Sequence, residues 1–214
     1  MTLRAQAYDA FTQHLLARRL LPGQFVTQRD LAALVGFPLG AVREMIPRLE
    51  AEGLIRTVAQ RGLQVVAADP RLIRDAFQLR EMIETEAVAH FARTAPDASI
   101  RREADALDAL EYQVAAGAVG PDLVAEAQAV DWGFHDRIVE HLGNALLTGI
   151  HCVNAVRIRM MMYDRVTLTP ELLAPALAEH RPVLAALAAR DAPAAVAALR
   201  LHLASARRRA LGLD

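Results

Sequence analysis

The chain contains no lysine: all 24 of its basic residues are arginine. With alanine so abundant, this marks a GC-rich genome and carries no functional meaning. Cysteine is almost missing too. Cys152 stands alone, which excludes an intrachain disulfide. No apolar run reaches membrane-spanning length before a charge breaks it. No basic, apolar, small-residue leader opens the chain, so a cytoplasmic protein without a membrane partner is expected. What is present is 214 residues, 54% hydrophobic, with mean hydropathy +0.19. That is enough to bury a sizeable core in one or two domains.

The net charge of −1 is unevenly placed. Residues 1–68 carry 8 Arg against 5 acidic residues, whereas residues 69–214 carry 16 Arg against 20. A mildly basic front and an acidic rear suit a small nucleic-acid-reading module joined to something else.

The front is organised around Thr27–Ile55. Leu31, Ala32 and Leu34 give a first short helix an apolar side, and Gly36 supplies a turn. Val42, Met45, Ile46 and Leu49 repeat at helical spacing in a second helix, and Gly53 stands where a left-handed cap is expected. Two short helices so tightly joined place the second in a DNA major groove, although an ordinary helical hairpin has the same pattern. An amphipathic helix over 5–19, with Tyr8, Phe11, Leu15 and Leu16, precedes the pair, and Leu21-Pro22-Gly23 turns between them. Leu54–Val58 and Leu63–Val66 read as strands around a Gln60-Arg61-Gly62 tip. The order predicts a winged helix-turn-helix over 1–68.

Asp69-Pro70 marks a boundary, because the residue before proline avoids helix. No strand is expected beyond it. Helices are expected near 70–94, 97–116, 121–141, 143–164, 169–190 and 192–211, separated at Pro96, Gly117–Pro121, Gly143, Thr169-Pro170 and Asp191–Pro193. The fold class is therefore mainly α: a winged helix-turn-helix over 1–68, then an all-α bundle over 69–214.

One constellation in the rear carries chemistry. Asp131 and His135 are four apart on an expected helix and share a face. His180 and His202 lie 22 positions apart, each about 11 residues from the Asp191 turn, so an antiparallel pair brings them level. One carboxylate and three imidazoles suit a divalent ion, Zn²⁺ first, with Ni²⁺, Co²⁺, Fe²⁺ or Mn²⁺ as alternatives. Isolated histidines in Ala/Leu-rich helices are more often surface or hydrogen-bonded groups. His14, His90 and His141 are read so, as is His151, which could instead line the same cavity.

The first 66 residues resemble the winged helix of GntR-type transcriptional regulators, through Leu21-Pro22-Gly23, Asp30-Leu31-Ala32, Val42-Arg43-Glu44, Leu49-Glu50, Glu52-Gly53-Leu54-Ile55 and Gly62. The rear resembles the all-helical effector (FCD) domain of the FadR-type branch, through Arg80 to Glu84, Asp131, Phe134-His135, Gly143-Asn144, Glu179-His180 and His202-Leu203. The resemblance implies a homodimeric transcription regulator, not an enzyme. It would bind a double-stranded DNA operator and carry a metal at Asp131, His135, His180 and His202. Arg43 then faces bases or phosphates, Arg29 lies near the DNA backbone, and Gln60, Arg61 and Gly62 form the wing tip. Arg48 pairs with Glu44 or Glu52 instead. One winged helix covers only a half-site, so two copies are expected, with the helical half or the region near Tyr8 sharing the contact.

The resemblance also implies a small carboxylate effector that changes DNA affinity. Arg80 is the first candidate to hold its far end, with Arg157 second and Asn154 beside it, although Arg80 could simply pair with Glu84. One departure stands out. The family's Ser-Arg-Thr-Pro-type run is here Pro38-Leu39-Gly40-Ala41, so Leu39 occupies the place of a DNA-facing arginine. Losing such a contact removes about 1–3 kcal/mol, which points to a different operator or weaker binding. Two rivals remain: a regulator for which the ion itself is the signal, and a metal-dependent hydrolase, for which no general base is placed by motif.

Overall fold

The structure, a computed structural model, describes residues 2–67, 69–117, 120–162 and 170–213. Ala68, the expected end of the first domain, lies outside the described residues. So do Ala118-Val119 and Thr169 of the expected links, and the last two residues of the 143–164 helix. The chain forms two compact units. The first runs through Ile73 and takes in a helical stretch starting at Ala155; the second holds 74–154 and the C-terminal helices.

In the first unit, α1 (Leu3–Leu16), α2 (Gln28–Val35) and α3 (Leu39–Ala51) pack beside a small sheet. Tyr8, Phe11, Leu31, Val42, Met45 and Leu49 fill the core between the helices. Thr27 and Asp30 start α2 with a reciprocal cap: the Thr27 hydroxyl accepts from the Asp30 amide, and the Asp30 carboxylate accepts from the Thr27 amide. Gly53, at φ +64°, takes the chain out of α3 in a left-handed turn.

The sheet has the order β1-β3-β2, antiparallel throughout, with β1 (Phe25–Val26), β2 (Ile55–Val58) and β3 (Gly62–Val65). The sequence reading lacked β1, because two residues between a turn and a helix cap cannot show alternation. The hairpin tip is also one residue shorter than expected. Gly62 already pairs with Val58 inside the ladder. It sits at φ +89°, and a Cβ there would come within 3.0 Å of the Val26 carbonyl oxygen. Its smallness is therefore a demand of the sheet.

The second unit is helical, and the described residues beyond 69 contain no strand. α4 (Pro70–Thr94), α5 (Asp97–Ala115), α6 (Pro121–Glu140), α7 (Ala145–Met162), α8 (Pro170–Ala178), α9 (Arg181–Ala188) and α10 (Ala192–Leu211) follow in order. From Ala155 onward α7 is counted with the first unit. Phe91, Leu110, Phe134, Ile138, Leu187 and Leu199 anchor the second unit's core. The single helix expected over 169–190 is two, α8 and α9, parted at Glu179-His180. Pro182 has no amide to give the Ala178 carbonyl, and its ring would collide with it. The break positions the site described next.

Candidate functional site

Four residues from three elements of the second unit converge on one point. Asp131 and His135 lie one turn apart on α6, His180 caps α9, and His202 faces inward from the apolar side of α10 with Leu199, Leu203 and Ala206. One ligand atom from each lies within 4.8 Å of the others. The three imidazoles are buried, and Asp131 is partly exposed. A cavity of about 20 Å³ opens against Asp131 and His180, with Glu103 and Phe134 in its wall. All four residues named from spacing are therefore brought together.

Each imidazole is held from behind at Nδ1. His135 Nδ1 lies 2.6 Å from Glu84 Oε2 on α4. His202 Nδ1 lies 3.2 Å from Glu179 Oε2, a carboxylate that also receives two bonds from Arg209. His180 Nδ1 lies 3.3 Å from the Ala176 carbonyl. The helix break explains this last contact. The His180 amide bonds to Leu177 instead of Ala176, so the Ala176 oxygen is left for the ring. With acceptors at all three Nδ1 positions, the rings carry their protons there and turn Nε2 lone pairs inward.

That inward side lacks a proton donor. The Nε2 atoms of His135 and His202 stand 3.2 Å apart, each an acceptor facing an acceptor. His180 Nε2 is 3.0 Å from Asp131 Oδ1 yet is a buried nitrogen without an aligned hydrogen bond. Convergent lone pairs beside a carboxylate are the chemistry a borderline divalent cation satisfies. The residues fit such an ion.

The electrostatics agree. Burial lowers His135 and brings His202 down to about 4, so both rings are neutral. Burial would raise Asp131, but His180 beside it and the other nearby imidazoles outweigh it and hold it well below the usual carboxylate range. Glu84 is completely buried; Arg80 and then His135 overcome that burial and hold its carboxyl at about 2. His180 runs the other way: the adjacent Asp131 carboxylate outweighs its burial and raises it.

The effector candidates divide. Arg80 and Asn154 are both in the second unit and both buried. Arg80 Nε donates to Glu84 Oε1 at 2.7 Å, so the internal ion pair exists. Its guanidinium lies 4.8 Å from the Trp132 ring centre, and Nη2 is buried without a partner. Asn154 Nδ2 donates to the Ala76 carbonyl at 2.8 Å, which leaves Oδ1 buried and unbonded. Arg157 does not join them. It belongs to the first unit, where its Nε donates to the Glu52 carbonyl at the end of α3. Arg157 is three residues past Asn154 on the same helix, with the unit boundary between them.

Of the residues expected at DNA, Arg29, Arg43, Gln60 and Arg61 are exposed on the first unit and Gly62 is half-buried. Arg43 Nε donates to Gln28 Oε1 at 3.1 Å across the two-helix motif. Arg29 projects from the first turn of α2. Gln60, at φ +62°, and Arg61 form the wing turn. Arg48 pairs with Glu52, not Glu44, and its guanidinium lies 3.6 Å from the Tyr8 ring centre. Tyr8 is thus enclosed within its own module, its hydroxyl donating to Glu52 at 2.6 Å.

Sequence reasoning missed Glu103 and the His151–Asp136 pair, named Glu179 as a family match without its role behind His202, and gave Glu84 no role beyond pairing with Arg80. The signal was there for Glu84. Ile73, Phe77, Arg80, Glu84, Ala87 and Phe91 run down one stripe of α4, so two ionisable groups interrupt an otherwise apolar face. His151 is buried, 2.9 Å from Asp136 and 3.8 Å from Glu84, as an outer neighbour of the cluster.

A winged helix joined to a helical unit with a buried polar centre defines a DNA-reading protein with a second, all-helical domain. Comparison with known proteins makes this specific. Residues 3–65 match the bacterial regulatory proteins of the gntR family, and residues 75–205 match the FCD domain. An uncharacterized HTH-type transcriptional regulator in an unstable DNA locus of Streptomyces ambofaciens is 30% identical over 207 residues, covering 94% of this chain and 82% of that protein. In fold, the chain is similar to E. coli McbR/YncC, with TM-score 0.78 at 20% identity, covering 96% of this chain and 95% of that one. A GntR regulator structure from Rhodococcus sp. RHA1 gives TM-score 0.77 at 20% identity, covering 98% and 99%. The chain belongs to the GntR family of transcriptional regulators and carries an FCD domain. That membership removes the hydrolase alternative. Among the described residues no helix is long and apolar enough to cross a membrane.

Proposed function

We propose that this DNA-binding regulator holds a divalent metal ion, Zn²⁺ first, at Asp131, His135, His180 and His202, and responds there to a small carboxylate. The observation that carries the reading is the set of three imidazoles, each held at Nδ1 and each turning Nε2 toward Asp131. The ion would supply positive charge for a carboxylate oxygen at any coordination position the protein leaves open. Arg80 Nη2, buried without an acceptor, would take the acid's other end. Arg29, Arg43, Gln60 and Arg61 would contact a palindromic operator through a homodimer, with Gly62 shaping the wing. Acid binding would weaken the operator complex and relieve repression.

Selection of duplex DNA from a random pool should enrich a palindrome. Acids titrated into the Zn²⁺-loaded protein on that duplex should change its affinity by about 5–150-fold. No enrichment would sink the DNA assignment. If chelation alone abolishes binding and no acid has any effect, the ion itself is the signal.

A further inference from the structure

A helix-turn-helix lays its second helix, here α3, in the major groove with the N-terminal residues against base edges. That end of α3 carries no hydrogen-bonding side chain. Pro38 precedes it without a side-chain cap, Leu39, Gly40, Ala41 and Val42 follow, and the first polar side chain is Arg43. Ala41, Val42, Met45 and Ile46 turn into the core. Leu39 is half-buried at the rim of that inner face, and Pro38 and Gly40 are exposed. A Cβ on Gly40 would meet nothing within 4 Å, so the outer side of this turn is open, and Leu39 is its largest side chain. Positive charge lies around it. Arg43, one turn on, shares the side of Leu39 and bonds Gln28, the residue before Arg29. Both arginines are exposed, as cations that meet phosphates must be.

An apolar side chain set among such cations meets the edge of a base. In the major groove guanine, adenine and cytosine present polar groups, and only thymine presents a methyl. Leucine against a polar edge would take those groups from water and return no hydrogen bond. Against thymine it buries the methyl. We infer that Leu39 reads a thymine methyl in each half of the operator. The base pair beneath the start of α3 is then T·A, specified by apolar contact and not by hydrogen bonding. The inference rests on the operator reading above, through α3 alone, and is independent of the metal and the acid.

The test uses the full-length protein on duplexes selected from a random pool, once with the natural chain and once with Leu39→Arg. The natural chain should enrich T·A at the position whose preference changes in the variant. Leu39→Arg should turn that position to G·C, favouring it about tenfold or more. Replacing the thymine by uracil removes only the methyl. Anisotropy should show the natural chain losing about threefold to fivefold in affinity, and Leu39→Ala binding both duplexes about equally. An enriched site in which no position responds to residue 39, or in which the natural chain selects G·C there, overturns the inference and leaves DNA binding standing. A uracil loss that persists in Leu39→Ala overturns it too. Scanning uracil through every thymine of the selected site needs only the natural chain, and unchanged affinity at all of them overturns the inference even if Leu39→Arg does not fold. If the natural chain enriches no sequence, both readings fall together.

Discussion

The two units treat charge in opposite ways. Every buried polar or charged side chain among the described residues belongs to the second unit: Arg80, Glu84, Glu103, His135, His151, Asn154, His180 and His202. The core of the winged helix is apolar, and its arginines 29, 43 and 61 lie in solvent. On the proposed function, the contrast follows from what each unit meets. DNA is a large polyanion that comes to the surface, so cations must wait outside. A small ligand or ion must be surrounded, so polar groups have to be carried into the core and supported there by one another.

The largest effect should come from disturbing a buried charge. Arg80→Met leaves Glu84 fully buried with only His135 and the more distant His151 to answer it. Removing one partner of such a pair costs about 3–5 kcal/mol. Arg43→Met, on the exposed face of α3, should change stability by less than about 0.5 kcal/mol. Urea unfolding of both variants checks this, and equal midpoints would erase the contrast between the units.

Function should sort the other way. Arg43→Met should weaken operator binding by about 1–3 kcal/mol while the fold is untouched, read by anisotropy on the selected duplex. Glu84→Gln keeps the shape but loses the carboxylate that holds His135 Nδ1. Zn²⁺ affinity should fall about 10–100-fold, measured by competition with a chelating dye. Unchanged affinity would mean that the imidazoles are oriented by packing alone.

The same contrast explains what was legible in the sequence. Asp131 with His135, and His180 with His202 about Asp191, could be matched because helical period and hairpin symmetry are written in spacing. The break between α8 and α9 could have been read from Pro182, yet the apolar run across it masked the stop. Glu179 supports His202 from inside that break, and no periodicity foretells a loop carboxylate. Arg157 was misgrouped because a continuous helix gives no sign of which unit its last turns serve. β1 was too short to leave a pattern. Gly62 was legible as part of the wing tip, but the close approach of the Val26 carbonyl, which comes from β1, was not.

A smaller loss than that at Arg80 tests a polar cluster that the winged helix half-buries. The Tyr8 hydroxyl donates to Glu52 Oε2 at 2.6 Å, Arg48 donates to Oε1 at 2.8 Å, and the Glu52 carbonyl accepts from Arg157 at 2.7 Å. Tyr8→Phe removes one bond and leaves Glu52 paired with Arg48, so about 1 kcal/mol should be lost at neutral pH. The variant also has a pH signature. Burial first, then the bond to Glu52 and its negative charge, raise the Tyr8 hydroxyl above its ordinary value. The unfolded chain therefore releases this proton near pH 10 while the folded chain keeps it. Tyr8 thus contributes stability that is fully present below about pH 10 and is lost as pH rises beyond it. Urea midpoints of the natural chain and Tyr8→Phe should differ at pH 7 and draw together above pH 10. Midpoints that stay equally far apart across that range would show that the hydroxyl is not what holds α1 to the end of α3.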